Sequence, residues 1–189
     1  MTQATSELTG TWDLDPAHSR LGFAARHAMV ATVRGGFSVF SGVIHVDAAD
    51  PTKSSAEVDI ETSSITTGNE QRDGHLRTGD FFETETHPKI TFRSTSITVD
   101  GDDEYTVHGD LEIKGIAKPV AVDLEFQGSA TDPFGNVRIG FEGKTTISRK
   151  DWGLTYNATL ETGGVLVGDK IKIELDVSAV KRVTVPATV

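Results

Sequence analysis

Val120-Ala121-Val122-Asp123-Leu124-Glu125-Phe126-Gln127 decides the fold: every second residue is a large apolar one, and those between are small, charged or polar. Successive side chains of a β-strand point to opposite faces, so the stretch describes a strand with one dry face and one wet face. The same period runs through Ile171, Ile173, Leu175 and Val177, which alternate with Lys170, Lys172, Glu174 and Asp176. It recurs at Val137-Ile139-Phe141, at Ala56-Val58-Ile60, and at Val107, Leu111 and Ile113. Strands wet on one side belong to antiparallel sheets. Turn residues separate them: Asp100-Gly101-Asp102-Asp103, Lys114-Gly115 and Asp132-Pro133-Phe134-Gly135-Asn136.

The pattern predicts strands near 11–14, 19–26, 36–47, 54–65, 89–99, 104–114, 117–130, 136–148 and 166–182. Several are far longer than the usual strand of about five or six residues. Long twisted antiparallel strands close into a barrel, which removes the exposed edges. Between Phe92 and Ile97 the apolar parity switches, which predicts a bulge. Asn69–Thr78 is polar, lacks β-branched residues before Thr78 and begins with a capping Asn69, which predicts one short helix. The inward parity includes the small residues Ala56, Gly109, Gly143 and Thr145, which favours a cavity over a barrel filled by its own side chains.

The chain has 189 residues, 18 Lys+Arg against 28 Asp+Glu, a net charge of -10 and no cysteine. That length suits one domain with a single core. An acidic surface whose densest basic pair is Lys181–Arg182 argues against a nucleic-acid or anionic-membrane partner. The absence of cysteine excludes disulfides, thiolate metal sites and thiol catalysis. No repeats or linkers interrupt the chain. Met1–Arg20 contains no basic start followed by the roughly 7–15 apolar residues of a secretory signal, so the expected location is the cytoplasm.

The six histidines, His18, His27, His45, His75, His87 and His108, show no metal-ligand spacing on one element. Neither a nucleophile elbow nor a phosphate loop is present, and Arg34-Gly35-Gly36 and Gly163-Gly164 precede strands rather than helices. The expectation is therefore no metal, no cofactor and no catalysis. Three dense stretches place Arg, His and Asp beside large apolar residues: Asp15–Arg20 with Phe23 and His27, Arg72–Arg77 running into Asp80-Phe81-Phe82, and Arg149–Leu154 around Trp152. Each reads either as a satisfied network plugging a barrel end or as a mouth holding a ligand's head group.

These stretches carry a family resemblance. Asp15-x-x-His18-Ser19-x-x-x-Phe23-x-x-x-His27 is followed by Gly35-x-Phe37, Phe40-x-Gly42, Arg72-Asp73-x-His75-Leu76 and Asp80-Phe81-Phe82. Pro88-x-Ile90-x-Phe92, Gly109-x-Leu111-x-Ile113-x-Gly115 and Arg149-x-Asp151-Trp152-Gly153 complete the order. The chain thus resembles the YceI-like family of bacterial, polyisoprenoid-binding, lipocalin-like β-barrels, from Trp12 to about Val180. The resemblance implies an all-β fold: a single antiparallel eight-stranded lipocalin-like barrel with one short helix, over residues 9–183. It also implies non-enzymatic binding of a polyisoprenoid lipid or isoprenoid quinone in an apolar tunnel, for carriage, storage or sequestration. Many members of that family look secreted or periplasmic, whereas the expectation for this chain is no signal segment.

By matched position and parity, the expected ligand-binding residues are Phe23, Phe37, Phe40, Phe92 and Trp152 for the wall, with His27 and Arg72 near a polar end. One rival reading is a barrel enzyme acting on a small apolar substrate through His27 or His75. Another is a stress-response scaffold with a filled barrel and a broad apolar outer patch. A homodimer through such a patch is the further partner expectation, set against strand exteriors that are mostly charged; membrane insertion is not expected.

Overall fold

A computed structural model describes residues 7–161 and 163–183. Its strands are β1 (Gly10–Leu14), β2 (Arg20–His27), β3 (Ala31–Phe37), β4 (Phe40–Val46), β5 (Ser55–Glu61), β6 (Ile65–Thr66), β7 (Lys89–Val99), β8 (Glu104–Ile113), β9 (Ile116–Thr131), β10 (Val137–Ser148) and β11 (Val167–Lys181). Helix α1 (Glu70–Arg77) follows β6. All neighbours pair antiparallel, in the ring β1-β4-β5-β7-β8-β9-β10-β11, and β11 pairs back onto β1 to close it. This is an eight-stranded closed barrel.

The remaining strands extend the ring rather than add to it. β2 continues β1 alongside β11, β3 pairs β2, and β6 pairs β3. Three of the eight staves are thus broken in two. The breaks fall at the 3-10 turn Pro16–His18, at Ser38-Val39, and at the 3-10 turn Thr62–Ser64. Backbone bonds from Ser38 N to Ser64 O and from Glu61 N to Val39 O hold the last two breaks side by side.

Most elements follow the sequence pattern. The Asn69 side chain accepts from Arg72 N and caps α1. The register of β7 against β8 shifts between Ser94 and Ser96, where the parity changes. The structure differs from the expected 36–47 strand, which is two strands beginning at Ala31. The hairpin before it turns through Ala28 and Met29, at φ 49° and 65°. Tight hairpins usually place Asn or Gly at such positions, so Ala-Met gives no turn signal.

Strand direction sorts the connections into two ends. At one lie the β4–β5 loop, the 100–103 turn and the 132–136 turn. At the other lie the β2–β3 turn, α1 and its following loop, and the loop 149–166. The helix end holds the larger apolar cluster: Phe81, Ile90, Leu111, Ile113, Trp152 and Leu154. Trp12, Ile139 and Ala179 form a smaller cluster at the turn end.

Two of the small inward residues do not leave the room the sequence suggests. A Cβ on Gly109 would lie 2.5 Å from Phe92 Cζ and 2.6 Å from the backbone oxygen of Arg93; one on Gly143 would lie 2.5 Å from Leu124 Cδ2. Large neighbours lean over these glycines, so each small residue admits a large one. Gly109→Ala should therefore destabilise by about 1–3 kcal/mol through overpacking against a strand that cannot yield. Urea unfolding measures it, and an unchanged midpoint would contradict this packing.

Candidate functional site

The barrel is hollow. In a filled eight-stranded barrel the inward residues are fully buried. Here Leu124 and Phe126 of β9, Phe141 of β10, and Ile171, Ile173, Leu175 and Val177 of β11 are only half-buried, although their charged neighbours face outward. They border a cavity of about 550 Å³ that runs between the two ends. Its size falls within the roughly 300–1,000 Å³ of small-molecule sites. At about 30 Å³ per water-sized group, it holds on the order of eighteen heavy atoms.

The two ends of this cavity differ. At the turn end its lining residues Asp47, Ser54, Asp103 and Tyr105 are exposed or half-buried. At the helix end Phe81, Leu154 and Arg149 are buried. The cavity therefore has an acidic mouth and a closed floor. Beside the mouth, burial and the nearby Asp103 raise the pKa of Tyr105 above its ordinary value.

The floor is built from the second and third dense stretches. Arg77 donates to the carbonyls of Ser63 and Ile65, and Arg72 donates to Thr67 Oγ1 and Thr67 O. Asp73, buried, accepts from Thr67 N at 2.8 Å and Oγ1 at 2.5 Å. These bonds clamp α1 across the barrel end and press Phe81 and Phe82 inward. His75 pairs with Asp80 at 2.7 Å and packs edge-on against Phe81 and Tyr156. Trp152 donates its indole N–H to Leu111 O at 2.9 Å and fills the space beneath. The polar part of the first dense stretch lies elsewhere, on the outer wall, where Asp15 binds His18 at 2.8 Å and Arg138 at 2.6 Å.

Of the residues expected to touch a ligand, Phe23, Phe37 and Phe92 line the cavity. Phe40 is buried in a separate cluster with Leu14 and Leu21. Trp152 stands behind the floor, Arg72 clamps the helix, and His27 ends β2 outside the cavity lining. Arg149 was missed. It lines the floor, only 5% exposed, and its signal was its position on the inward parity of β10. Burial lowers its pKa from the ordinary arginine value, and Asp169 opposes the shift.

Among the described residues no three His, Asp or Glu gather into a metal-holding group, and no helix is long and apolar enough to cross a membrane. The exposed apolar side chains Met29 and Val30 sit on the β2–β3 turn and Phe134 on the 132–136 turn, at opposite ends.

Outside the cavity, guanidinium hydrogen bonds hold several carboxyls below the usual range: Asp15 and Asp132 through Arg138, Asp59 through Arg93, and Asp13 through Arg182. A folded pKa below the unfolded value of about 3.9 means their stabilisation is complete above that pH and is lost as pH falls through the folded values. The urea midpoint should start to drop below about pH 4, and Arg138→Gln should make that drop shallower. A midpoint level down to acid unfolding would contradict the pairing.

The closed barrel with its apolar, half-exposed interior is shared by known proteins. A UPF0312 protein of Staphylococcus aureus (strain N315) is 42% identical over 161 residues, 85% of this chain and 91% of the relative. The crystal structure of Burkholderia cenocepacia BcnA matches with a TM-score of 0.77 at 25% identity, covering 87% of this chain and 98% of that one. A structure described as a polyisoprenoid binding domain from Saccharophagus degradans, implicated in plant cell wall breakdown, shares the fold with a TM-score of 0.68. Its identity is 19%, over 90% of this chain and 98% of that one. The family model for the YceI-like domain matches residues 12–179. Eight antiparallel staves, a hollow apolar interior and a match over most of its length establish that this chain belongs to the YceI-like family.

Proposed function

We propose that the chain binds a polyisoprenoid lipid or isoprenoid quinone inside the barrel and shields it from water, for carriage, storage or sequestration, without catalysis. The observation that carries this reading is the cavity itself, whose charged lining residues are confined to its two ends. The description of the Saccharophagus degradans domain supports the choice of ligand class. Transfer from water is worth about 0.8 kcal/mol per methylene, so a wall of this kind binds a prenyl tail tightly with few polar contacts. The volume takes roughly fifteen to twenty carbons, and a longer tail extends past the mouth.

In this reading the binding unit spans residues 9–183. Phe23, Phe37 and Phe92 form the wall, while Phe40, Trp152, Arg72 and His27 act from outside the lining. The enzyme reading needs several His, Asp or Arg side chains converging on the cavity, whereas His75 pairs with Asp80 on the exposed side of the floor. Organic extraction of the freshly purified protein and mass spectrometry of the extract test the proposal. The expected result is a prenyl-chain lipid in near-stoichiometric amount. An empty extract, together with no uptake of an added C20 prenyl alcohol, would overturn it.

A further inference from the structure

Arg149 extends the inward face of β10, following Thr145 and Ile147 at two-residue steps. The residue lines the closed floor and is only 5% exposed. Nε donates to Gly168 O at 3.0 Å, Nη1 to Leu154 O at 2.5 Å and Tyr156 O at 2.9 Å, and Nη2 to Val167 O at 3.3 Å. All four partners are neutral carbonyls. No described carboxylate lies within ion-pair distance of it, and the nearby Asp169 is engaged by Ser148 Oγ and Lys150 N. A guanidinium carries five N–H donors, so one on Nη2 is left without a protein acceptor.

The other charged side chains on the inward side of the lining, Asp47 and Asp103, are both at the mouth. The cavity is therefore a low-dielectric tube with a cation at its floor and carboxylates at its opening. In such a medium a charge polarises whatever lies against it far more than in water. An electron-rich end group is drawn to the floor and repelled from the mouth.

We infer that the closed floor is the head-group site: the ligand lies head inward, with an end group that accepts hydrogen bonds placed on Arg149, and its chain runs toward the acidic mouth. This rests on the lipid-binding reading above and adds to it the orientation and the chemistry of the head. A carboxylate and a quinone carbonyl share that chemistry. A hydroxyl is the poorer match, because the carbonyls around Arg149 already accept its N–H groups and leave the hydroxyl proton badly served. A diphosphate carries more negative charge than one guanidinium compensates.

Four ligands with the same C20 prenyl chain test this on the unmodified protein: the carboxylic acid, a benzoquinone, the alcohol and the diphosphate. A hydrogen bond to a charged group is among the stronger ones. The acid, the quinone or both should therefore bind about tenfold or more tightly than the alcohol, with the diphosphate weakest, and whichever leads identifies the charge of the head. An alcohol that equals both, or a diphosphate that binds most tightly, would overturn the inference while leaving lipid binding intact. If none of the four binds, the lipid-binding reading fails and this one with it. Crystals with the leading ligand brominated at its far tail carbon give the orientation. Anomalous density beside Asp103 and Tyr105 supports it, and density beside Arg149 refutes it.

Discussion

Ala56→Trp should cut the affinity for a C20 prenyl ligand by at least about tenfold, while leaving the fold and its thermal midpoint nearly unchanged. Ala56 is the first inward residue of β5 above the mouth, and its side chain borders the cavity. A tryptophan there enters free volume rather than packed core, so the overpacking cost of about 1–3 kcal/mol seen in filled interiors does not apply in full. It occupies the space through which the ligand's chain must run. Each methylene excluded forfeits about 0.8 kcal/mol, so two displaced methylenes already amount to about tenfold. Equilibrium binding with a fluorescent prenyl probe, alongside a melting curve, measures both halves of the expectation. Undiminished affinity would mean that the chain does not pass Ala56.

Trp152→Ala should have the largest effect on stability of any single change at the floor, about 3–5 kcal/mol. The side chain is 2% exposed and packs in the cluster with Phe81, Leu111 and Leu154. Its removal also leaves the carbonyl of Leu111 without the indole donor. For a chain of this length, roughly 2–4 °C are lost per kcal/mol, so the melting temperature should fall by about 6–20 °C. Trp152→Phe keeps most of the volume but not the hydrogen bond and should lose clearly less. Equal losses for the two variants would show that the hydrogen bond, rather than the filled volume, governs this site.

The barrel was legible because alternation is a local property. The inward set of β11, Ile171 to Val177, can be read with no knowledge of what it pairs with. The Asn69 cap and the parity switch in β7 are equally local, and both appear where the pattern puts them. The start of β3 was not legible, because Ala28-Met29 turns the chain at positive φ without the residues that usually signal it. The site was legible only in part. Parity identifies Phe23, Phe37 and Phe92 as inward, but it cannot say that Phe92 spends its bulk over Gly109. Trp152 and Arg72 stand in the same dense stretches as the cavity residues, yet their hydrogen bonds tie them to Leu111 and Thr67 instead. Arg149 was visible in the motif, and only the folded chain reveals that it is buried at the cavity floor.

The pairing of β1 with β11 sets an order of events in time. Trp12 stands opposite Lys181 and Leu14 opposite Ala179, so the seam that closes the ring joins the two extremes of the chain. The other seams join segments much closer in sequence, most of them consecutive hairpins that form early at little entropic cost. Contacts between distant segments are the slow ones in folding. During synthesis the first staves therefore emerge and pair as an open, curved sheet, with Leu21, Phe23 and the inward face of β9 facing water until β11 leaves the ribosome. A chain cut before β11 keeps most of its hairpins and never becomes a vessel. It should instead aggregate through the unpaired edges of β1 and β10.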